Sequence, residues 1–267
     1  MTRHSDRTTS FRGLESQVSR VISPRDRLYP VYVAQYGPDE YIRSGLQNLD
    51  ALEHLLTAHA ARHLRDCESV VDFACHYGRL LRCLRAALPD RTLYACDIDS
   101  DAVDFCAREF GCVPLVTDWD PGRVEVTVEH DLVICLSLVT HTRVTFLRAV
   151  LALWERMLKP GGLLFFTFLG EAYIDEWRAG RLDHYAEVTE AAREAAIRKF
   201  AQDGHAFCGL RTSYSATEEY GIGFVREALV RDAVGRCSSL RLLETQSGFS
   251  NGFGQDIAVV RRQRMPL

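Results

Sequence analysis

Carboxylates recur in this chain at the ends of short apolar runs. Asp72 lies within Val70-Val71-Asp72-Phe73-Ala74-Cys75-His76-Tyr77-Gly78, Asp97 closes Arg91–Asp97 19 residues after Gly78, and Asp118 precedes Trp119. A carboxylate at Asp97 can accept both hydrogen bonds of a ribose diol. A carboxylate beside an indole, as at Asp118-Trp119, suits the amino group and ring face of an adenine. Strand ends of this kind are where open α/β sheets bind ligands. Lys159-Pro160-Gly161-Gly162 is the fourth feature of the series, and His141 follows a further apolar run in Ser137-Leu138-Val139-Thr140-His141. An imidazole there has the unperturbed pKa for removing a proton, although the position equally suits a helix cap or a water-mediated contact.

Other chemistries find no support. His59 and His63 are one helical turn apart, but there is no His-Glu-x-x-His and no Cys-x-x-Cys, so they read as exposed histidines and no metal is expected. The G-x-G-x-x-G turn that a nicotinamide cofactor requires is also missing.

The elements that must position these residues follow from periodicity. Ser69–Ala74, Arg91–Asp97, Cys112–Thr117, Asp131–Leu138 and Leu163–Leu169 read as strands. They alternate with helical patterns at Tyr77–Leu88, Ser100–Phe110 (Ser100 as N-cap) and Thr142–Leu158. Strands alternating with helices predict a doubly wound, Rossmann-like α/β sheet. Leu240–Gln246 and Asp256–Arg261, joined by the glycine-rich Ser247–Gly254, predict an antiparallel pair that makes the sheet mostly but not wholly parallel. Upstream, residues 1–65 read as a flexible tail over the first 20, an ordered arm or loop at Leu28–Tyr41 broken by Pro30 and Pro38, and a helix from Asn48 to Arg65. Residues 170–215 read as an inserted cap, helical over Tyr173–Gln202 and strand-like or irregular over Phe207–Ser215. The core is thus 66–169 with 216–262, beginning its second part with a helix at Thr217–Gly235.

Composition is ordinary: 267 residues, 47% hydrophobic and 25% charged, which excludes collagen, coiled coil and wholesale disorder. A net charge of -4 argues against a nucleic-acid partner. No apolar run approaches the roughly 20 residues of a membrane span. Nine cysteines, an odd count with several inside apolar runs, predict reduced thiols, and with no signal-peptide pattern the expected location is cytoplasmic.

The order Asp72, Asp97, Asp118, Lys-Pro-Gly-Gly resembles class I S-adenosylmethionine-dependent methyltransferases over about residues 66–169 and 240–262. That family opens with an acidic residue and a turn of spaced glycines; here the turn reads Asp72-x-Ala74-x-His76-x-Gly78, with only the last glycine kept. His76 is the larger departure, since a side chain stands where glycine lets a cofactor approach. The resemblance implies S-adenosylmethionine as cofactor, with S-adenosylhomocysteine as product. Ala74, Cys75 and Gly78 would line the methionine end, with His76 at its turn and Asp72 opening the motif. Asp97 would hold the ribose, Ile98 would pack on the adenine, Asp118 and Trp119 would bind its edge and face, and Leu136 and Ser137 would touch the cofactor from the fourth strand. It also places His141 next to the transferred methyl, as base or substrate contact.

For the acceptor, Tyr32, Tyr36 and Tyr41 are candidates on a lid folding over the site, and His184, Tyr185, His205 and Tyr214 are candidates within the cap. The narrower similarity is to bacterial small-molecule methyltransferases of sugar or secondary metabolism, with oxygen the expected acceptor atom and nitrogen or carbon open. A protein that binds the cofactor without methylating, or uses it for cyclisation, is the alternative. The tyrosine-rich arm closes either its own site or, in a homodimer, a neighbour's.

Overall fold

A computed structural model describes residues 10–180, 188–210, 219–249 and 254–264. Two helices precede the sheet, α1 (Leu28–Tyr36) and α2 (Pro38–Ala60). The expected loop at 28–41 is therefore helical, and the helix expected from Asn48 begins at Pro38. Both prolines fall in a first turn, where no intrahelical N–H is needed. Asp39 and Glu40 follow Pro38 in the first turn of α2, at the positive end of its dipole. Residues 10–20 correct the expectation of a flexible tail: Phe11 and Val18 are buried in the core that contains Ile42 and Leu46 of α2.

The alternation then proceeds as predicted through β1 (Ser69–Phe73), α3 (Arg79–Ala87), β2 (Thr92–Asp97), α4 (Ser100–Phe110), β3 (Val113–Val116), β4 (His130–Cys135), α5 (Val144–Met157) and β5 (Leu158–Phe168). Asp99 caps α4 in place of the expected Ser100, accepting from the Asp101 and Ala102 amides. β4 stops at Cys135, short of the expected Leu138, and Val139–His141 forms a single 3-10 turn.

Beyond β5 come α6 (Glu171–Arg178), α7 (Glu190–Asp203), β6 (His205–Gly209), β7 (Gly221–Val225), α8 (Glu227–Gly235), β8 (Leu240–Phe249) and β9 (Gln255–Arg262). The single helix expected over Thr217–Gly235 is thus replaced by a strand and a shorter helix. Gly221 and Gly223 weaken a helix, while Ile222, Phe224 and Val225 favour a strand. β7 pairs with β6 in a two-stranded sheet of its own, so the cap extends to Val225, past the expected boundary at 215.

The large sheet has the order β3-β2-β1-β4-β5-β9-β8, parallel from β3 to β5, with β9 antiparallel to both β5 and β8. Apolar residues fill both faces, as a covered parallel sheet requires. Val70, Leu132 and Phe165 meet Leu49 and Leu52 of α2, Leu81 of α3 and Val103 of α4. Val71, Val133 and Phe166 meet Leu147, Val150 and Trp154 of α5 and Val230 of α8. The cap has a third core around Tyr173, Trp177, Phe200 and Phe224. Strand order reverses between β1 and β4, and the crevice at their carboxyl ends is the topological switch point where such sheets take ligands.

Arg82 of α3 joins the N-terminal segment to this crevice. It is 1% exposed and donates to the carbonyls of Ser19 (2.9 Å), Val21 (3.0 Å), Tyr77 (3.3 Å) and Gly78 (3.2 Å), with its guanidinium over the rings of Tyr41 and Phe110. A buried cation is tolerable only when its donors are so satisfied.

Candidate functional site

After β1 the chain turns into α3 through residues 74–78. Ala74, His76 and Gly78 have φ of 63, 48 and 77, so the left-handed positions that spaced glycines serve are kept with two side-chain-bearing residues. Each such residue costs about 1–2 kcal/mol. The amides of Ala74 and Cys75 donate to the Cys96 carbonyl (2.7 and 3.1 Å), and the His76 amide donates to Asp97 Oδ2 (2.7 Å). Gly78 has a different task from the one expected. A Cβ there would collide with the Phe110 ring and stand 2.9 Å from Cys106 Sγ, so its glycine serves packing against α4, and it is not among the cavity-lining residues.

The His76 ring does not stand free over the turn. Its buried Nδ1 lies 3.5 Å from Asp26 Oδ1, and the ring is edge-on to Tyr77 at 5.0 Å. Asp26 also accepts from the Leu28 and Tyr29 amides (both 3.0 Å) at the start of α1 and from the Tyr41 hydroxyl (2.9 Å). His76 is therefore drawn toward the arm.

Asp97 accepts from two amides, His76 on Oδ2 and Asp99 on Oδ1 (3.0 Å). Burial raises its pKa and these two bonds oppose the rise. An ionised carboxylate offers about four acceptor positions, so capacity for a diol remains. Ile98 and Trp119 are large apolar side chains left 44% and 37% exposed at the same crevice, and Asp118 Oδ1 accepts the Asp120 amide (2.8 Å).

Asp72 is buried in β1. Burial pushes its carboxyl up to about 8, with Arg79 opposing and Asp97 reinforcing. The Arg79 guanidinium donates to Ser44 Oγ (3.0 Å) and lies 5.5 Å over the Tyr32 ring. Ser137, at φ 69, donates its amide to Thr167 Oγ1 (2.7 Å), and Gln255 Nε2 donates to Ser137 Oγ (3.0 Å).

His141 sits on the 3-10 turn past β4. Its Nδ1 is 2.8 Å from the Gly221 carbonyl, which can only accept, so Nδ1 carries the hydrogen and Nε2 is the basic nitrogen of the neutral ring. The ring stacks on Tyr220, centroids 4.8 Å apart and planes at 14°. Burial lowers its pKa, against the opposing Gly221 bond, keeping it neutral at pH 7.

One cavity of about 1290 Å³ connects these groups. Of the residues singled out in the sequence, Asp72, Ala74, Cys75, His76, Asp97, Ile98, Asp118, Trp119, Leu136, Ser137, His141, Tyr32 and Tyr41 line it. Tyr41 is 1% exposed and engaged with Asp26, so its polar end serves the arm. Tyr36 is outside the lining, against Tyr32. His184, Tyr185 and Tyr214 lie outside the described residues, and His205 opens β6 without lining the cavity. Sequence reasoning missed Arg79, Gln35, Thr142, Tyr220 and Gln255, all of which line it. Only Arg79 carried a signal, as a cation directly after the turn.

His59 and His63 pair with Glu244 (2.6 Å) and Glu53 (2.6 Å), and no group of three or more metal-ligating side chains occurs among the described residues. No described helix is long and apolar enough to cross a membrane.

The geometry meets a known family here. Residues 71–164, spanning β1 to β5, match the family model described as a methyltransferase domain. Three solved structures share the fold. One is an S-adenosylmethionine-dependent methyltransferase from Clostridium acetobutylicum (12% identity, TM-score 0.57, covering 91% of this chain and 100% of that one). Another is DesVI from Streptomyces venezuelae (12%, 0.56, 91% and 100%). The third is magnesium protoporphyrin IX methyltransferase from Synechocystis PCC 6803, with bound SAH (17%, 0.50, 84% and 87%). Comparison with curated protein sequences finds no match. The chain shares the fold of these methyltransferases, and residues 71–164 are similar to a methyltransferase domain.

Proposed function

We propose that this protein is an S-adenosylmethionine-dependent methyltransferase that methylates a small molecule on oxygen. The observation that carries the reading is that one continuous cavity is lined by the Asp97 and Asp118 carboxylates, by His141 and by Leu210 and Tyr220 of the cap.

The residues present fit the cofactor. The left-handed turn at Ala74 and His76 keeps the chain path of a glycine turn, and the His76 ring lies beside Asp26, its Nδ1 3.5 Å from Oδ1. Asp97 would take the ribose diol, and Ile98 and Trp119 would cover the adenine beside Asp118. Asp72 and Arg79 offer a carboxyl and a guanidinium to the ammonium and carboxylate of the amino-acid end. When bound, the cofactor supplies a methyl carbon already activated by a sulfonium, so alignment and exclusion of water are the main tasks left to the protein. Leu28, Val31 and Tyr32 of α1 with Leu210 of the cap supply apolar cover. His141 Nε2 would receive the proton that an acceptor hydroxyl must lose, a contribution typically worth about 10²–10⁴ in rate.

A small acceptor is supported by this position between arm and cap, and the net charge of -4 gives no footprint for nucleic acid. All nine cysteines are free, eight of them buried, which suits a reducing, cytoplasmic setting. Because the arm of the same chain lines the cavity, the reading needs no second copy. Calorimetric titration of S-adenosylmethionine and S-adenosylhomocysteine, beside Asp97→Ala, tests the cofactor site. Release of S-adenosylhomocysteine with a panel of hydroxylated acceptors then tests the reaction. Micromolar binding without acceptor-dependent turnover would favour a cofactor-binding protein that does not methylate.

A further inference from the structure

We infer that Tyr220 and Gly221 of the cap are positioning residues for His141, so that the core supplies the base while the cap sets which of its nitrogens is basic. This rests on the reading of His141 as the base of methyl transfer.

Two contacts from consecutive cap residues fix the imidazole from different directions. The Gly221 carbonyl, 2.8 Å from Nδ1, holds the hydrogen on that nitrogen, and the Tyr220 ring lies nearly parallel to the imidazole at 4.8 Å. A hydrogen bond alone allows the ring to pivot about its axis, and a stacking surface alone allows either tautomer. Together they define the plane and the tautomer, and hence the direction in which Nε2 presents its lone pair.

The seating of this strand is equally specific. A Cβ on Gly221 would collide with the Cys208 carbonyl oxygen of β6. One on Gly223 would collide with the Thr142 carbonyl oxygen and stand 3.1 Å from that of Val139, on the turn that carries His141. β7 is therefore flush against that turn, with no room for a side chain between them. Its far end is tied to the core by the Val225 amide donating to the Leu169 carbonyl (2.9 Å). Arg143, directly after Thr142, reaches back to the cap through Glu219 (3.4 Å) and the Phe207 ring (4.2 Å). Packing alone would account for a close fit, but not for a carbonyl and an aromatic face both directed at the one imidazole beside the cavity.

The test uses the full chain labelled with ¹⁵N-histidine. Long-range proton–nitrogen correlation reads the His141 tautomer, assigned by its loss in His141→Gln, and needs no substrate. The wild type should show hydrogen on Nδ1, Tyr220→Phe should keep that pattern, and Tyr220→Leu should keep the tautomer but free the ring to pivot, so that the Nδ1 hydrogen exchanges with solvent about tenfold faster or more. S-adenosylhomocysteine affinity of all three should agree within about twofold, which certifies that each variant is folded. Hydrogen on Nε2 in the wild type would overturn the inference whatever the variants do, and so would an unchanged exchange rate of the Nδ1 hydrogen in Tyr220→Leu. Failure of the wild type to bind S-adenosylhomocysteine is a separate result, and it would sink the methyl-transfer reading itself.

Discussion

The two sides of the cavity are built by different means. The side we propose for the cofactor is made of carboxylates near the carboxyl ends of consecutive strands, held by backbone amides of their own and neighbouring βα turns, as Asp97 is by Asp99 and His76. The side we propose for the acceptor draws on neutral lining groups from separate parts of the chain: Tyr32 and Gln35 from α1, Tyr220 from the cap and His141 from the core. The first side is local in sequence and is set by the sheet. The second exists only when arm, cap and core are packed together. Binding of cofactor and processing of acceptor should therefore be separable by mutation.

The sharpest way to break that separation is His141→Ala. Turnover should fall by about 10²–10⁴ while cofactor affinity stays unchanged; a matching loss of affinity would show that the two sides are one unit. Asp97→Ala should do the reverse, lowering cofactor affinity by about 100-fold, as expected for two lost hydrogen bonds to a charged group. Calorimetry on each variant reads both.

Asp72 sharpens the comparison through pH. Its carboxyl is pushed up to about 8 in the folded protein, above its unfolded value, so the folded state binds the extra proton. Its contribution to stability is complete below the unfolded pKa of about 4 and declines as pH rises toward 8. An ammonium bound beside it would favour the ionised form, so cofactor affinity should rise with pH up to about 8, with release of a proton. Titrations in buffers of different ionisation enthalpy detect that proton. Asp72→Asn should remove it, weaken binding, and stabilise the ligand-free protein at pH 8 by about 1–3 kcal/mol, the scale of a buried group without full compensation.

Two smaller effects complete the series. Gly223→Ala should cost about 1–3 kcal/mol through overpacking, seen as a melting temperature lowered by roughly 2–8 °C, with cofactor affinity little changed. His76→Gly relieves a left-handed side chain but removes the contact to Asp26. Affinity for S-adenosylhomocysteine should change by less than about threefold, while tryptic cleavage at Arg25 and Arg27 should quicken. A large change in affinity would mean that His76 serves the cofactor itself.

The same contrast explains what was legible in the sequence. β-branched runs and helical periods located the sheet because each strand and helix buries an apolar face within a few residues of its neighbours. Asp72, Asp97, Asp118 and Trp119 could be picked out because strand ends are fixed by that alternation. Tyr220 could not, since its partner His141 lies far away in sequence and no pattern connects them. The helix expected over Thr217–Gly235 failed for a related reason. The glycines that break it are required by contacts with Cys208 and Thr142, which periodicity does not register. Pro30 and Pro38 misled in the other direction, because a proline reads as a breaker unless the helix start is already known.

Arg82 limits how the arm can move. It grips the carbonyls of Ser19 and Val21, and the next fixed point is Asp26, against Tyr41 and His76. Only residues 22–25 lie between these two points, about 13–14 Å at full stretch, so α1 begins on a short tether to the turn beside it. Shortening the chain past Val21 would cut that tether and leave a buried cation with two fewer acceptors, so residues that look dispensable at the start of the chain form part of the wall of its cofactor turn.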